Sequence, residues 1–322
     1  MIKILHSADW HISLHRKKIP YAWQKNRFNL FFAKLLELEK ECDIHIISGD
    51  VFDKKPEPDE ITLLLTYLNR VSIPTRIIPG NHESTRKGKT FLEHFEADYA
   101  INNPNVKFYA TNTRENIKGV SFQFFPYGEM EVDNLPKYVE GDILVTHIRG
   151  EVPPHITAEY NFEKLRQWKL ILLGDLHFFH KYKDFPAYFS GSPLNVVYDR
   201  NDNREYGVNL IEFHSIDNYD VNFISLDLPK LIRKTVDSKN AFNKDAYHHV
   251  IYEVTGSIDE LASLENNELL DKKIAIKPSE KAKIDLGACS SIRDELKLYL
   301  EYVKLDNTQI VLDEFDGLGV SE

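Results

Sequence analysis

Five apolar runs, each closed by a carboxylate, an imidazole or a carboxamide, constrain this chain more than any other feature. Ile2 to Leu5 leads into Asp9-Trp10-His11, and Ile44 to Ile47 into Gly49-Asp50-Val51-Phe52-Asp53. Arg76 to Ile78 leads into Gly80-Asn81-His82-Glu83, Ile143 to Val145 into His147, and Leu170 to Leu173 into Gly174-Asp175-Leu176-His177. A short apolar run bounded by Gly, Pro or polar turn residues, with a helical pattern after it, is how a strand of a largely buried sheet reads in sequence. Such sheets carry their functional loops beyond the strand ends. The five polar closures are therefore expected to converge on one edge.

Seven of those groups, Asp9, His11, Asp50, Asn81, His147, Asp175 and His177, are then expected to surround two divalent ions. Mixed oxygen and nitrogen donors suit a borderline first-row metal, Mn²⁺ first and Mg²⁺ second, and argue against calcium. Two such ions about 3.5–4 Å apart form the clamp that two-metal hydrolysis of a phosphate ester requires. Asp50 is the expected bridge, because a carboxylate has two oxygens and spans two cations at once. Asn81, a neutral carboxamide, binds through oxygen without cancelling charge. Asp53 and Glu83 are candidates to orient the imidazoles from behind.

Between the motifs the chain alternates in the α/β manner. Phe28, Phe31, Phe32, Leu35 and Leu36 stand at helical spacing and predict an amphipathic helix over residues 21–42. Pro56 and Pro58 bound a loop before a helix carrying Ile61, Leu64, Leu65 and Leu68, which completes a βαβ unit and makes the sheet parallel there. Residues 100–141 are rich in strand pattern, clearest from Val120 to Phe125. Past His177, the segments 207–213 and 221–226 alternate like antiparallel strands and are expected to complete a two-sheet core. A change in composition at Leu228-Pro229-Lys230 suggests a division into residues 1–228 and a small α+β appendage over 229–322. That appendage reads as a strand at His249 to Val254, a helix after Ser257, a strand at Lys273 to Ile276 and a final helix. Ser291 and Asp294 would cap this helix, and its stripe of Ile292, Leu296, Tyr299 and Val303 is expected to pack on its own small domain.

The two cysteines, Cys42 and Cys289, exclude a disulfide framework and a Cys-rich zinc site and fit a reducing compartment. No apolar stretch approaches the ~20 residues of a membrane span, and no signal-peptide core stands at the N-terminus, so a cytoplasmic location is expected. The net charge of -10 runs against the phosphate contacts on which DNA affinity depends. Net charge does not describe one face, however. Arg16, Lys17 and Lys18 follow the first motif, Lys54 and Lys55 the second, and Arg86, Lys87 and Lys89 the third. A single charge run is usually a solvated loop; three in corresponding positions predict a nucleic-acid rim.

At its five motifs the sequence resembles the calcineurin-like metallophosphoesterases. Among them it is most similar to the SbcD-type nuclease subunits of recombination and repair complexes, particularly compact versions carried by tailed phages. The resemblance spans roughly residues 1–226, through Tyr188-Phe189-Ser190-Gly191-Ser192; single elements such as Asp9-x-His11 are weak, but the ordered set is a strong signal. It implies a two-sheet metallophosphoesterase sandwich flanked by helices, with a small C-terminal capping domain that contacts an SbcC-like coiled-coil ATPase. It also implies that Asp9, His11 and His177 complete one metal site and Asn81, His147 and Asp175 the other, and that His82 stabilises the transition state or donates to the leaving oxygen. Hydrolysis of double- and single-stranded DNA, a homodimer, and, for a phage protein, the cytoplasm of a bacterial host follow from the same resemblance. The chain departs from the family in one place: Gly174-Asp175-Leu176-His177 stands where Gly-His-x-His is usual. Three carboxylates in place of two leave the ions a net charge of +1 instead of +2, which should hold metal more tightly and favour harder ions.

Gly88-Lys89-Thr90 matches the end of a phosphate-binding loop, but Glu83 occupies the position of its first glycine, so ATP binding there is not expected. No Ser-His-acid arrangement stands out. Two other readings compete with the nuclease: a phosphoesterase acting on proteins or small esters, since fold does not settle substrate, and a binding subunit with a dead pocket. The full set of donors disfavours the second of these.

Overall fold

A computed structural model of the chain describes residues 1–84, 89–95, 102–128, 142–151, 158, 160–183, 185–200, 203–215, 217–237, 245–256, 262, 269–274, 289, 291–305 and 307–317. The chain divides into two compact units, the larger made of Met1–Lys234, Ala241–Tyr252 and Asn267–Leu270, the smaller of Thr235–Asn240, Glu253–Asn266 and Asp271–Glu322.

The larger unit is built on strands β1 (Ile2–Ser7), β2 (Ile44–Ser48), β3 (Thr75–Ile78), β4 (Val106–Phe108), β5 (Thr113–Ile117), β6 (Val120–Phe125) and β7 (Ile143–His147). They are followed by β8 (Leu170–Gly174), β9 (His180–Lys181), β10 (Ala187–Phe189), β11 (Gly207–Ser215) and β12 (Asn218–Ser225). One sheet runs β12-β11-β1-β2-β3-β4 and the other β5-β6-β7-β8-β10-β9. The five apolar runs of the sequence are β1, β2, β3, β7 and β8. Within each sheet these pair in parallel, as the βαβ pattern requires. The expected antiparallel pair is β11 and β12, which extends the first sheet beside β1. The α/β, two-sheet reading of the sequence therefore holds.

Alternation along the strands explains the layers. In β1 and β2, Ile2, Ile4, Ile44 and Ile46 face Phe122, Phe124, Ile143, Val145, Leu170 and Leu172 of the other sheet, making the core between them. Leu5 and Ile47 point the other way, into a second core under helices α1 (Tyr21–Glu39) and α2 (Pro58–Leu68), where Phe28, Phe31, Leu35, Leu64 and Leu68 are buried. Ile171 and Leu173 of β8 bury their face against Phe162, Leu165 and Trp168. Strands buried on both faces carry no polar alternation, which is why they read as continuous apolar runs. Helix α1 stops short of the expected residue 42, because the N–H groups of Lys40, Glu41 and Cys42 bond three residues back and tighten the last turn before β2.

Strands β13 (Leu231–Asp237), β14 (His249–Gly256) and β15 (Leu270–Ile274) form a three-stranded sheet. β15 begins before the expected Lys273, and the helix expected after Ser257 lies outside the described residues, apart from one helical residue at 262. The final helix is a pair, α3 (Ile292–Tyr302) and α4 (Thr308–Gly317), joined by the ion pair of Arg293 with Asp316 at 2.7 and 2.9 Å. Ser291 caps α3 as expected, accepting from the Asp294 N–H at 3.1 Å. The packing expected for its stripe does not hold: Ile292 is 57% exposed and Tyr299 53%, while Leu300 and Leu312 are the buried residues of the pair.

Candidate metal centre

Register brings the motifs level. Ser7 pairs with Ile47, Ser48 with Ile78, and His147 with Gly174, so the chain leaves β1, β2, β3, β7 and β8 at the same edge. Beyond that edge the backbone is forced into unusual shapes. Asp9, His11, Asp50 and Asp175 all have positive φ, at 55°, 47°, 53° and 107°. For residues with a Cβ these conformations are costly and persist only where surrounding structure imposes them. Here the N–H groups of Asp9 and His11 donate to the carbonyls of Gly49 and Asp50, both at 3.0 Å. The glycines of two motifs allow the close approach: a Cβ on Gly80 would strike the Asp50 carboxylate, and one on Gly49 would come within 2.5 Å of His147 Nδ1.

Ligating atoms of Asp9, His11 and His177 lie within 4.8 Å of one another, as do those of Asp9, Asp50 and His147, and those of His11, Asp53 and His82. Asp50 stands between these groups. Its Oδ1 accepts the His82 N–H at 3.0 Å, and its Oδ2 is 3.6 Å from His11 Nε2 and 3.5 Å from His147 Nε2. Asn81 Oδ1 is 2.9 Å from His147 Nε2. His147 donates from Nδ1 to the Ser48 carbonyl at 2.8 Å, which fixes its tautomer and turns the Nε2 lone pair inward. Asp175 joins the group through its backbone, donating its N–H to Asp9 Oδ1 at 3.1 Å. Its carboxylate belongs to none of the three clusters and lies 3.6 Å from Arg149 Nε.

The donor set fits divalent cations. Nε2 of His11 and Nε2 of His177 face each other at 3.0 Å, and the buried Nδ1 of His11 has no hydrogen-bond partner. Burial, and then the charge of Asp50, push the Asp9 carboxyl well above its usual range, and burial lifts Asp50 to about 7. Burial, followed by neighbouring histidines, lowers His11 well below an ordinary imidazole and His177 to about 4. Crowded acids that resist ionising beside imidazoles that resist protonating are the state a cation relieves, because it compensates the first and needs the second neutral.

A model of the calcineurin-like phosphoesterase family matches residues 2–179, more than half of the chain. The chain belongs to the calcineurin-like phosphoesterases. It is a metal-dependent phosphoester hydrolase, and its cluster of Asp and His donors could hold a divalent metal of the kind this family binds. Over 310 residues it is 33% identical to "Probable exonuclease subunit 1" of Escherichia phage T5, with 94% of this chain and 93% of the relative covered. Among solved structures, the protein TT1561 of Thermus thermophilus is similar with a TM-score of 0.43 at 11% identity, over 69% of this chain and 98% of that one. A conserved uncharacterized protein (predicted phosphoesterase) of Streptococcus pneumoniae gives 0.34 at 14%, over 70% and 89%. The family assignment rests on the family model and the phage relative.

Around this phosphoesterase centre several expectations are redirected. Glu83 does not reach an imidazole. Its buried carboxylate accepts the N–H groups of Asp50 at 3.0 Å, Phe52 at 2.7 Å and Gly80 at 2.7 Å, clamping the loops after β2 and β3 together. Asp53 does lie beside an imidazole, 3.6 Å from His11 Nδ1, and its carbonyl accepts from His82 Nδ1 at 2.6 Å. Burial opposes the protonation of His82, but that carbonyl and the charge of Asp50 outweigh it and raise the ring above its ordinary value. Arg16 is not a free rim cation: it is held by Asp53 Oδ1 at 2.7 Å and by the Val196 carbonyl. Lys17, Lys18, Lys54, Lys55 and Lys89 are exposed, while Arg86 and Lys87 lie outside the described residues. Thr90 of the false phosphate loop caps the turn Phe91–His94.

Sequence reasoning assigned no role to Ser192, whose hydroxyl donates to the Asp9 carbonyl at 2.6 Å, or to Arg149. The Gly191-Ser192 turn after β10 was the available signal for the first; Arg149 had only its place two residues after His147. Unexpectedly, a Ser-His-acid chain exists. Ser7 Oγ is 2.8 Å from His45 Nε2, and His45 Nδ1 is 2.9 Å from Glu39 Oε1. All three are buried to 1% or less, so no substrate reaches them. Ser7 accepts the Trp10 indole N–H at 3.0 Å, and the chain anchors the Asp9–His11 loop from below.

Proposed function

We propose that this phosphoesterase is a Mn²⁺-dependent DNA exonuclease and endonuclease, the nuclease subunit of a complex with an SbcC-like coiled-coil ATPase. The observation that carries the reading is the identity of 33% to a phage exonuclease subunit along nearly the whole of both chains. Similarity that runs beyond the donor motifs and along nearly the whole chain supports a shared substrate class and a shared place in a complex. The exposed lysines Lys17, Lys18, Lys54, Lys55 and Lys89 on the loops around the donors support a polyanionic substrate.

In this reading Asp9, His11 and His177 would hold one ion, Asn81 and His147 with Asp175 would hold the other, and Asp50 would be shared between them. Bound there, divalent ions would supply Lewis-acid chemistry at the phosphate. The protein's part is positional. His147 is kept in the ligating tautomer by Ser48, Asp50 is fixed by the His82 N–H, and Glu83 keeps the second and third loops in register. His82, with its Nδ1 on the Asp53 carbonyl and 36% of its side chain exposed, is able to present Nε2 to a phosphate ester and donate to the leaving oxygen.

The segment 229–322 is proposed as the capping and ATPase-binding part, supported by the exposed Ile292 and Tyr299 of α3, Val303 just after it and Ile310 of α4. A homodimer and action in the host cytoplasm belong to the same reading; among the described residues no helix is long and apolar enough to cross a membrane. The test is incubation of the protein, alone and with the co-expressed ATPase, with end-labelled duplex and single-stranded DNA in Mn²⁺ or Mg²⁺. Manganese-dependent release of nucleotides that is lost in Asp50→Ala and His82→Ala is expected. Phosphatase activity on phosphoproteins without any DNA cleavage would overturn the assignment.

A further inference from the structure

A second concave site lies on the face of β8, β9 and β10 that carries the Phe162 cluster. It encloses about 710 Å³, within the range of small-ligand sites. Its walls are aromatic. Phe162 and Tyr182 stand 4.8 Å apart at 34°, and Phe185 meets Phe162 edge-on at 6.2 Å. Tyr182 and Phe185 are half-buried, so part of each ring faces the hollow. The Tyr182 hydroxyl is tied to the Glu151 carbonyl at 2.9 Å, which sets the ring in place before any ligand arrives. At the rim stand three cations, Arg166, Lys181 and Lys183, against the carboxylates of Glu151 and Glu163. Arg166 is occupied by Glu163 and lies 4.3 Å over the Phe185 ring; Lys181 lies 5.4 Å over the Tyr188 ring and Lys183 is exposed, so among the described residues of this rim these two lysines are the cations with no carboxylate against them.

The hollow is connected to the metal centre through one short stretch. His147 and Glu151 are four residues apart, a reach of at most about 14 Å between their Cα atoms. Between them, Arg149 stands at Asp175, and a Cβ on Gly150 would strike Tyr182. At a rise of about 3.4 Å per nucleotide, a strand whose phosphate is at the donors passes this hollow within a few nucleotides. Flat apolar walls with lysines beside them are complementary to a base carried on a phosphate backbone, since stacking needs only a π-face.

We propose that this hollow is a base-binding subsite for single-stranded DNA, in which a nucleobase close to the cleaved phosphate stacks on Tyr182 and Phe185 while Lys181 and Lys183 meet the adjoining phosphates. The proposal rests on the nuclease reading above. It names the strand form that the enzyme grips near the cut.

The test compares wild type with Tyr182→Leu, Phe185→Leu and Lys181→Ala/Lys183→Ala, using full-length protein with Mn²⁺ and thermal unfolding as a fold control. Two substrates separate the readings: a single-stranded oligonucleotide, and methyl p-nitrophenyl phosphate, which is too short to reach the hollow. Each leucine variant should raise the oligonucleotide KM roughly 5- to 100-fold, the loss expected for one stacked base. Its kcat, and its hydrolysis of the small diester, should stay within twofold. The lysine pair should lower the slope of log affinity against log salt by roughly one to two. If a leucine variant unfolds, this exposed pair decides. Wild-type KM in the folded leucine variants, with an unchanged salt slope in the lysine pair, would remove the subsite and leave the nuclease standing. Hydrolysis of the small diester by wild type with no cleavage of DNA would remove both.

Discussion

Replacing Glu83 tests how the loops of the centre are held. Its two oxygens accept three N–H groups from two different loops, in a position with no solvent exposure. Glu83→Ala strands three buried donors, each worth about 1–3 kcal/mol when left unpaired. Part of that is recovered because the carboxylate is itself costly to bury: burial, then the Asp50 charge, push it up to about 8. The net loss should be about 3–5 kcal/mol, equivalent to a fall in Tm of roughly 10 °C for a chain of this size. Glu83→Gln keeps the shape. Its carbonyl oxygen can still serve Asp50 and Gly80, while its amide nitrogen faces the Phe52 N–H as a second donor, so one bond is lost and the cost should be about 1–3 kcal/mol. Denaturant unfolding of the three proteins, with and without Mn²⁺, measures both numbers. Because the clamp spans the Asp50 and Asn81 loops, the alanine variant should also need a higher Mn²⁺ concentration to reach half of its metal-induced stabilisation. An alanine variant within about 1 kcal/mol of wild type and with unchanged metal response would refute the clamp.

Two further outcomes follow from the same geometry. Asp175→His should weaken metal retention and shift preference from Mg²⁺ toward softer ions, read by competition calorimetry; an unchanged preference and pH profile would dismiss a charge role for Asp175. In metal-free protein the raised carboxyls Asp50 (about 7) and Glu83 (about 8) bind protons more tightly folded than unfolded, so they lose stability as pH rises. The depressed histidines His177 (about 4) and His6 (about 3) lose it as pH falls below their unfolded value, so between about pH 6.5 and 8 the raised groups act, the acids and His82 in the same direction. Stability without metal should therefore decline across that window, and saturating Mn²⁺ should abolish the decline; a metal-free protein equally stable at both ends would contradict it.

Much of the centre was legible because its donors close strands. The runs that became β1, β2, β3, β7 and β8 each carry their own hydrophobic signature, and a polar group at the end of a strand buried on both faces has few places to go except the sheet edge. The exposed lysines of the expected rim could be named but not sorted from Arg16, whose satisfaction by Asp53 and Val196 bridges up to 180 positions of sequence. Glu83 was misassigned for a related reason: a carboxylate beside histidines suggests an imidazole partner, whereas three backbone N–H groups have no signature in sequence.

The amino-acid order by itself determined the α/β class, the five strands that lead into the polar motifs and the residue types that close them, since periodicity and turn chemistry act over a few residues. Only the tertiary structure decided which atoms those donors face, that Asp9, His11 and Asp50 sit in left-handed conformations, and that Ser7, His45 and Glu39 form a sealed support beneath Trp10. Those outcomes depend on the register between strands and on how each loop closes over a distant neighbour. Neither is encoded in any one window of the chain.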